Sequence, residues 1–325
     1  MNLSTHYKSK AYGVVVTYNG SKWIRQCIGS LVESNYPVNI IVVDNDSTDD
    51  TVEIIKKEFS QVDLIMSSEN LGFGKANNLA ISKCIREGAD FVFLLNQDAW
   101  VEVETIEKLI TALQDNSQYG IVSPLHYTGS GKSLDAGFYS YVQKKYSQKE
   151  IEAFIRQSDP KIKPVPFINA AAWLISRQSI EKVGGFNPLL FLYGEDNEYA
   201  NRLQFHSLKL GFIANAKIYH DRETRNELGF FKSLNKMSGY HQIKMTVRLL
   251  NVNQNFLRAF LFSSGWLCKE IAFHTFWHAR IFAPISFFRV FFYSLLRINS
   301  LKEARYKIET KKIFLFLKPD AAQGH

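Results

Sequence analysis

The sequence predicts an α/β fold, in which a doubly wound, mostly parallel β-sheet is flanked by helices and followed by a helical C-terminal extension. Two observations lead to this prediction. In the first hundred residues, four short apolar segments each run into a polar turn and then a helix-type pattern, which is typical of parallel sheets with crossover helices. Past residue 225, aromatic and basic residues are concentrated. We therefore expect an α/β domain over residues 1–225 and an extension over residues 226–325.

The first two units are the most regular. A buried strand is predicted over Ala11–Thr17, followed by the turn sequence TYNGSK and a helix from about Trp23 to Ser34. The second strand covers Ile40–Val43, and its polar turn leads into a helix over Thr51–Phe59. In each helix, apolar residues recur at the spacing of one buried face.

The third and fourth units carry the most unusual turns. After the short strand DLIMS, the Gly- and Asn-rich segment SSENLGFGKANN predicts a loop that opens a helix near Asn77–Glu87. The fourth strand begins at Phe91 and ends in Asn96, Gln97 and Asp98. Because the carboxyl ends of parallel strands meet at one sheet edge, we expect these polar turns to form a ligand site. The alternative is that they only cap helices.

The second half of the domain is less regular. Residues 121–162 predict loop and short strand, followed by a surface helix or a loop. The small residues Asn169–Ala172 then lead into a strand, a helix over Gln178–Val183 and a Gly-Gly turn. An acidic cluster heads the next helix, and the segment KLGFIANAKIYHD predicts a pair of strands that ends at His220 and Asp221.

The extension carries the positive charge of the chain. Residues 226–325 contain 15 Lys and Arg against 5 Asp and Glu, and 14 of the 25 Phe, whereas residues 1–225 contain 24 against 26. No apolar run reaches the ~20 residues of a membrane-spanning helix. Apolar faces interleaved with Arg and Lys are typical of interfacial helices on an anionic membrane surface. Because the basic residues lie away from the predicted site, a nucleic-acid partner is not indicated. The alternative is a helical appendage packed on the main domain.

Other features narrow the class of protein. Cys27, Cys84 and Cys268 share no metal-type spacing, so neither a disulfide framework nor a zinc site is expected. No Gly-x-Gly-x-x-Gly motif follows the first strand, which argues against a dinucleotide-binding oxidoreductase. The polar N-terminus predicts no signal peptide and hence a cytoplasmic location.

A few side chains are suited to binding a divalent cation or to carrying a negative charge at the start of a helix. Asp98 is the best candidate ligand for a hard divalent cation, which prefers oxygen donors and pairs well with a diphosphate. His220, at the end of a strand, is the second candidate ligand, although a lone His is equally often a core residue. Glu195 and Asp196 lie at the start of a helix, where the helix dipole favours anions; a capping role is the alternative.

The motifs together resemble a known family. The segments VVVTYNG, VVDNDSTDDT, ENLGFGKANN, LLNQDAW and GGFNPLLFLYGEDNEYANR and the later YH follow the order found in family 2 nucleotide-sugar glycosyltransferases, which have the GT-A fold. The similarity covers residues 11 to about 225. The NQD and GED forms and the LGFGKANN segment are most similar to rhamnosyltransferases of bacterial polysaccharide assembly.

The resemblance implies roles for individual residues. Thr17 and Tyr18 would contact the base and ribose, Asp44 and Asn45 would read the base, and Lys75 would lie near the phosphates. The full set implied for nucleotide-sugar binding is Thr17, Tyr18, Asn19, Asp44, Asn45, Gly72, Phe73, Gly74, Lys75, Asn78, Asn96, Gln97 and Asp98. The metal ligands would be Asp98 and His220, holding Mg²⁺ or Mn²⁺. The base would be Asp196 with Glu195 beside it, and Trp173, Phe191 and Glu198 would contact the acceptor or sugar.

The implied activity is inverting transfer of L-rhamnose from dTDP-rhamnose to a saccharide acceptor, which the basic, aromatic extension indicates is polyprenyl-linked. The enzyme would act as a peripheral protein on the inner face of the plasma membrane. Because Asn96 replaces the first acid of the family's Asp-x-Asp motif, we expect weak metal binding that depends on the nucleotide. Two alternatives stay open: another donor, such as UDP-galactofuranose or UDP-N-acetylglucosamine, and a non-catalytic nucleotide-sugar-binding subunit.

Overall fold

A nine-stranded mixed sheet forms the centre of the protein. The computed structural model describes residues 9–222, 234–276, 283–310 and 315–317. The strands are β1 (Ala11–Thr17), β2 (Val38–Asp44), β3 (Asp63–Met66), β4 (Phe91–Asn96), β5 (Ala99–Val101), β6 (Tyr119–Thr128), β7 (Lys163–Val165), β8 (Ala172–Ser176) and β9 (Lys209–His220). Their order is β3-β2-β1-β4-β8-β6-β9-β5, with β7 paired to β9. Strands β3, β2, β1 and β4 are parallel, and β8 runs antiparallel to β4.

Helices cover both faces of this sheet. They are α1 (Ile24–Val32), α2 (Thr51–Glu58), α3 (Gly72–Arg86), α4 (Thr105–Gln114), α5 (Ala136–Val142), α6 (Gln148–Gln157), α7 (Arg177–Val183) and α8 (Glu195–Phe205). Along β1, Tyr12 and Val14 belong to one apolar cluster, and Ala11 and Val15 belong to the other. Both faces are therefore buried, which explains why the parallel strands are apolar at nearly every position. The predicted fold class is confirmed.

Two predicted elements are wrong in detail. Helix α3 begins at Gly72 rather than near Asn77, because the amides that indicate a loop are used inside the helix: Asn77 Nδ2 donates to the carbonyl of Phe73. The predicted pair of strands before His220 is the single strand β9, whose partner β6 accommodates it through a register shift between Ser123 and Leu125. The segment 121–162, left open above, contains β6, α5, α6 and loops.

The described part of the extension consists of four helices: α9 (Leu234–Leu250), α10 (Phe256–Phe276), α11 (Ala283–Leu296) and α12 (Ile298–Thr310). They surround their own apolar cluster, which also includes Leu190 of the main sheet domain. Large apolar side chains on α10 and α11 are more than half exposed: Leu257, Leu261, Phe262, Ile285, Phe288, Phe292 and Leu296. Among the described residues, no helix combines the length and apolarity needed to cross a membrane.

Candidate active site

The polar turns meet at the carboxyl edge of the parallel strands, as predicted. In the sheet register, Thr17 at the end of β1 pairs with Asp44 at the end of β2, and Val16 pairs with Asn96 at the end of β4. Asn96 also connects to the far half of the sheet, because its backbone N–H donates to the carbonyl of Ala171 at 2.9 Å. One edge therefore presents side chains from three adjacent strands.

Gln97 holds the first turn in place. Its Oε1 accepts hydrogen bonds from Thr17 Oγ1 at 2.6 Å and from the backbone N–H of Tyr18 at 2.9 Å, while its Nε2 donates to the Tyr18 carbonyl at 3.2 Å. A Cβ at Gly20 would overlap Gln97 Oε1 and would displace this side chain from its present position. The Gln97 amide is thus used within the protein, and it orients the turn that contains Tyr18.

The turn after β2 leaves one buried carboxylate oxygen available. Asp44 Oδ2 accepts from the backbone N–H of Ser47 at 3.1 Å, but its buried Oδ1 has no hydrogen-bond partner among the described residues. Asn45 is tied to the next loop, since its Oδ1 accepts from the N–H of Leu71 at 2.8 Å. Asn19 accepts from the N–H of Thr48 at 2.8 Å and so joins the first two turns. Of these residues, Asp44 is the one with an oxygen left for a ligand.

The start of α3 brings the acidic segment to this edge. Gly72 has a φ of +76°, and an added Cβ would overlap the carbonyl oxygen of Phe191. The N–H of Phe73 donates to that same carbonyl at 3.1 Å. Gly74 lies close to Phe186 and Glu195. Residues 72–74 therefore act as a close-packed support for the loop before α8.

Asn78 also holds this loop, through two hydrogen bonds to the backbone of Phe186. Its Oδ1 accepts from the N–H of Phe186 at 2.7 Å, and its Nδ2 donates to the Phe186 carbonyl at 2.8 Å. These two hydrogen bonds show Asn78 holding the loop before α8 in position. Lys75, on the same helix, is exposed to solvent.

Glu195 and Asp196 begin helix α8 and differ in their surroundings. Burial, and to a smaller degree the neighbouring Asp196, raise the pKa of Glu195 to about 8, and its buried Oε2 has no hydrogen-bond partner among the described residues. Burial also raises the pKa of Asp196, although hydrogen bonds from Asn197 and from the backbone of Ala170 oppose the shift. A pKa of about 8 favours the protonated form of Glu195 near neutral pH. Asp196, which receives hydrogen bonds from Asn197 and from the Ala170 backbone, is the better candidate to accept a proton.

Asp98 and His220 lie side by side although they are far apart in sequence. Pairing of β5 with β9 brings Asp98 Oδ1 within 3.2 Å of His220 Nε2, and the N–H of Asp221 donates to the Asp98 carbonyl at 2.8 Å. The His220 side chain is 2% exposed and that of Asp98 is 26% exposed. One carboxylate oxygen and one imidazole nitrogen thus converge at the edge.

This pair fits a divalent cation that takes the rest of its ligands from a substrate. Carboxylate oxygen and imidazole nitrogen both suit Mn²⁺, and the oxygen also suits Mg²⁺. Across the part of the chain that the structure describes, no group of three or more His, Cys, Asp or Glu side chains is arranged to hold a metal ion. A cation at Asp98 and His220 would therefore need further oxygen donors, such as those of a diphosphate.

Of the three residues expected at the acceptor, two are buried and one is exposed. Trp173 is fully buried, donates its indole N–H to the Ile168 carbonyl and packs against Phe186. Glu198 is 1% exposed and forms a bidentate ion pair with the buried Arg202. Neither side chain can contact a saccharide in this conformation, so we leave both out of the acceptor site. Phe191 is 55% exposed beside Glu195 and remains a candidate.

Sequence analysis missed a group of side chains behind the site. Burial and the nearby Asp196 raise the pKa of Tyr141 on α5, and Arg222 Nε lies 3.6 Å from the buried Asp135 Oδ2. His126 on β6 is fully buried near His220. All but Arg222 come from the segment 121–162, where no motif marked them.

Comparison with known proteins gives a consistent result. The family model described as Glycosyl transferase family 2 matches residues 14–184. An N-acetylglucosaminyl-diphospho-decaprenol L-rhamnosyltransferase of Mycobacterium tuberculosis is 24% identical over 230 residues, covering 64% of this chain and 75% of the relative. The dTDP-rhamnosyl transferase RfbF of Shigella flexneri is 27% identical over 213 residues, covering 65% and 69%.

Solved structures show the same fold. Staphylococcus aureus TarS 1–349 in complex with UDP-GlcNAc aligns with a TM-score of 0.56 and 17% identity, covering 92% of this chain and 88% of that one. The mannosyltransferase PcManGT of Pyrobaculum calidifontis, in complex with GDP-Man and Mn²⁺, aligns with a TM-score of 0.54 and 16% identity, covering 94% and 87%. At these identities, the likeness shows the GT-A fold alone.

Proposed function

Because this chain belongs to glycosyl transferase family 2, we propose that it is an inverting rhamnosyltransferase that uses dTDP-rhamnose as donor and a polyprenyl-linked saccharide as acceptor. The chain is a glycosyltransferase by family and fold. Rhamnose is supported by the names of two relatives, a decaprenol-linked L-rhamnosyltransferase and a dTDP-rhamnosyl transferase. The first of these names, which includes a decaprenol diphosphate, also supports a lipid-linked acceptor.

The proposal depends mainly on one observation: the candidate cation ligands, Asp98 and His220, lie in the same part of the structure as the candidate base, Asp196. Asn96, two residues before Asp98, donates its N–H to Ala171. The backbone of the adjacent residue, Ala170, hydrogen-bonds Asp196. A short stretch of backbone therefore separates the cation ligand from the carboxylate. A donor sugar whose diphosphate is held at Asp98 would lie next to Asp196.

Asp196 is the proposed base. The acceptor hydroxyl oxygen attacks the anomeric carbon of the donor while Asp196 takes the hydroxyl proton. The bond from the anomeric carbon to the diphosphate oxygen breaks, and the nucleoside diphosphate leaves with the electron pair. One displacement inverts the configuration, so no nucleophilic carboxylate is needed. Glu195, whose pKa is raised to about 8, holds its proton more tightly than an ordinary carboxyl group and is the poorer candidate base.

Asp98 and His220 would hold Mg²⁺ or Mn²⁺, which when bound offsets the negative charge that grows on the departing diphosphate. The solved structure of PcManGT contains Mn²⁺. Asn96 and Gln97 are neutral, and Gln97 is hydrogen-bonded to Thr17 and Tyr18. With one carboxylate at the site, we expect weak cation binding to the free protein and tighter binding once the nucleotide supplies oxygens.

The nucleotide would lie along the turns after β1 and β2. Asp44 Oδ1, buried without a partner among the described residues, is placed to accept a hydrogen bond from the N–H of a pyrimidine base. Tyr18, which is 46% exposed, would stack on the base or ribose. Lys75, exposed on α3, would approach the phosphates. Asn19, Asn45, Gln97 and Asn78 are assigned positioning roles by their hydrogen bonds.

The acceptor would approach from the side of the loop 191–193. Phe191, Leu192 and Tyr193 are each about half exposed directly before Glu195. Helix α9 of the extension packs on the same loop, since an added Cβ on Gly194 would lie 2.8 Å from Ile243 and from Val247. We assign residues 1–225 to catalysis and residues 226–325 to membrane association at the cytoplasmic face, with the exposed apolar side chains of α10 and α11 entering the lipid headgroup region.

A donor panel tests the proposal. Purified full-length protein is incubated with dTDP-rhamnose, UDP-galactofuranose, UDP-N-acetylglucosamine or GDP-mannose and a lipid-linked acceptor pool, and nucleoside diphosphate release and product mass are measured. Release confined to dTDP-rhamnose, with a loss on the order of 10²–10⁴-fold in Asp196→Asn, supports the proposal. Preference for another donor refutes the rhamnose assignment, and full activity of Asp196→Asn refutes the base.

A further inference from the structure

Two buried histidines lie against each other behind the cation site. In the parallel pairing of β6 with β9, Thr128 is the register partner of His220, and His126 lies two residues earlier on the same face of β6. The ring centroids are 6.4 Å apart and the planes cross at 77°. Both side chains are at least 98% buried. In each ring, Nδ1 has no hydrogen-bond partner among the described residues.

The contacts of His126 define which of its nitrogens carries the proton. Ser123 Oγ donates to the Ala172 carbonyl at 2.8 Å, so toward His126 Nε2, at 2.9 Å, it acts as an acceptor. His126 is therefore protonated on Nε2, and its Nδ1 has a free lone pair.

Cation binding requires the opposite arrangement in His220. His220 Nε2 lies 3.2 Å from Asp98 Oδ1 and is the ring nitrogen on the side of the cation site. A coordinated cation takes the lone pair of Nε2, so the proton of the neutral ring must lie on Nδ1. That N–H points into a buried environment, where a donor without an acceptor is unfavourable. The free lone pair on the adjacent ring is an acceptor of the right kind.

We propose that His126 is a positioning residue for the cation site, and that its Nδ1 accepts the Nδ1–H of His220 when His220 coordinates the cation. Because the ring centroids are 6.4 Å apart, this hydrogen bond requires the two rings to move closer together. The inference rests on the metal-assisted transfer proposed above. It assigns to His126 the outer-shell role that fixes the tautomer of metal-binding histidines in other proteins.

Mn²⁺ binding in the presence of dTDP tests this role. The concentration of free Mn²⁺ is followed by electron paramagnetic resonance for the full chain and for two variants. His126→Phe fills the space without an acceptor, and we expect its Mn²⁺ affinity to fall by ~10–100-fold. His126→Gln keeps a carbonyl oxygen, and we expect a loss of less than about tenfold. Affinity for dTDP measured in EDTA should be unchanged in both, whereas a merely structural role would weaken it as well.

Further variants distinguish an error in the role of His126 from an error in the metal assignment. Phe138→Leu perturbs the ring stacked on His126 at 4.8 Å, and should lower the melting temperature without changing Mn²⁺ affinity. If His126→Phe does not fold, Ser123→Ala is used in its place. Without Ser123 Oγ, the Nε2 proton of His126 loses its acceptor and can move to Nδ1, so Mn²⁺ binding should weaken. If His220→Ala binds Mn²⁺ as well as the wild type does, the metal assignment itself fails. If His220→Ala weakens binding and His126→Phe does not, only the role of His126 is refuted.

Discussion

Glu195 should make the stability of the protein fall as pH rises toward 8. Its ordinary pKa is 4.5, and burial raises the value in the folded protein to about 8. Below about 4.5 the carboxyl is protonated in both states. Between these values only the unfolded chain releases the proton, so rising pH favours unfolding. Above about 8 both states are ionised and the penalty is constant.

The size of the effect follows from the two pKa values. Each tenfold difference in proton affinity is worth ~1.4 kcal/mol, so the penalty reaches on the order of 4 kcal/mol by pH 8. The variant Glu195→Gln is uncharged at every pH and should lose this dependence. At roughly 2–4 °C per kcal/mol for domains of similar size, its melting temperature should exceed that of the wild type by about 8–16 °C at pH 8 and match it near pH 4.5.

Thermal unfolding followed by circular dichroism between pH 4.5 and 8.5 measures the difference. Glu152→Gln, an exposed carboxylate on α6, is the matched control and should give a curve parallel to the wild type. Because Glu195 is already neutral at pH 7, Glu195→Gln should also retain transfer activity at that pH. Parallel melting curves for wild type and Glu195→Gln would contradict the raised pKa.

Four further outcomes are expected. Arg202→Met leaves Glu198 as an unpaired buried charge and should cost ~3–5 kcal/mol of stability in urea unfolding, part of which Glu198→Leu in the same chain should restore. Gly72→Ala places a Cβ against a carbonyl oxygen at a positive φ and should lower stability by at least ~1 kcal/mol and weaken dTDP binding. The double variant Phe288→Glu/Phe292→Glu should float less with anionic liposomes than the wild type, while a lysine pair at the same positions should float more than the glutamate pair. Calorimetry should detect little Mn²⁺ binding to the free protein and clear binding once dTDP is added; tight binding to the free protein would contradict the proposed site.

Local pattern accounts for the part of the fold that was predicted. The strands β1, β2 and β4 each combine an apolar run with a polar turn, and this signal needs no knowledge of the rest of the chain. The same holds for Asp44 and Asp98, which end such strands. The pairing of Asp98 with His220 depends on β5 and β9, which adjoin only in the folded sheet. The sequence marked each residue as a candidate at the end of a strand, but it did not show that the two lie side by side.

Trp173 and Glu198 were expected at the acceptor, but both are buried. Trp173 follows small residues near a motif, but β8 lies between β4 and β6 with both faces covered, so its side chains point into the core. Glu198 stands beside the candidate base, yet Arg202 lies four residues later, the spacing of a helical ion pair. That spacing was a usable signal. His126 lies in an irregular segment, and nothing local indicates that β9 brings it to His220.

Asn96 replaces one acid of the motif, and this leaves Asp98 as the motif's carboxylate at the sheet edge. Gln97 holds the turn after β1 through hydrogen bonds with Thr17 and Tyr18. The group that positions this turn is therefore uncharged. The negative charge available to a cation is then that of Asp98, and the diphosphate must supply the rest. By linkage, whatever factor dTDP adds to Mn²⁺ affinity, Mn²⁺ must add to dTDP affinity. The Gln97 amide therefore stabilises the turn proposed to hold the nucleotide, and the uncharged Asn96 should make cation binding depend on the substrate that the cation helps to activate.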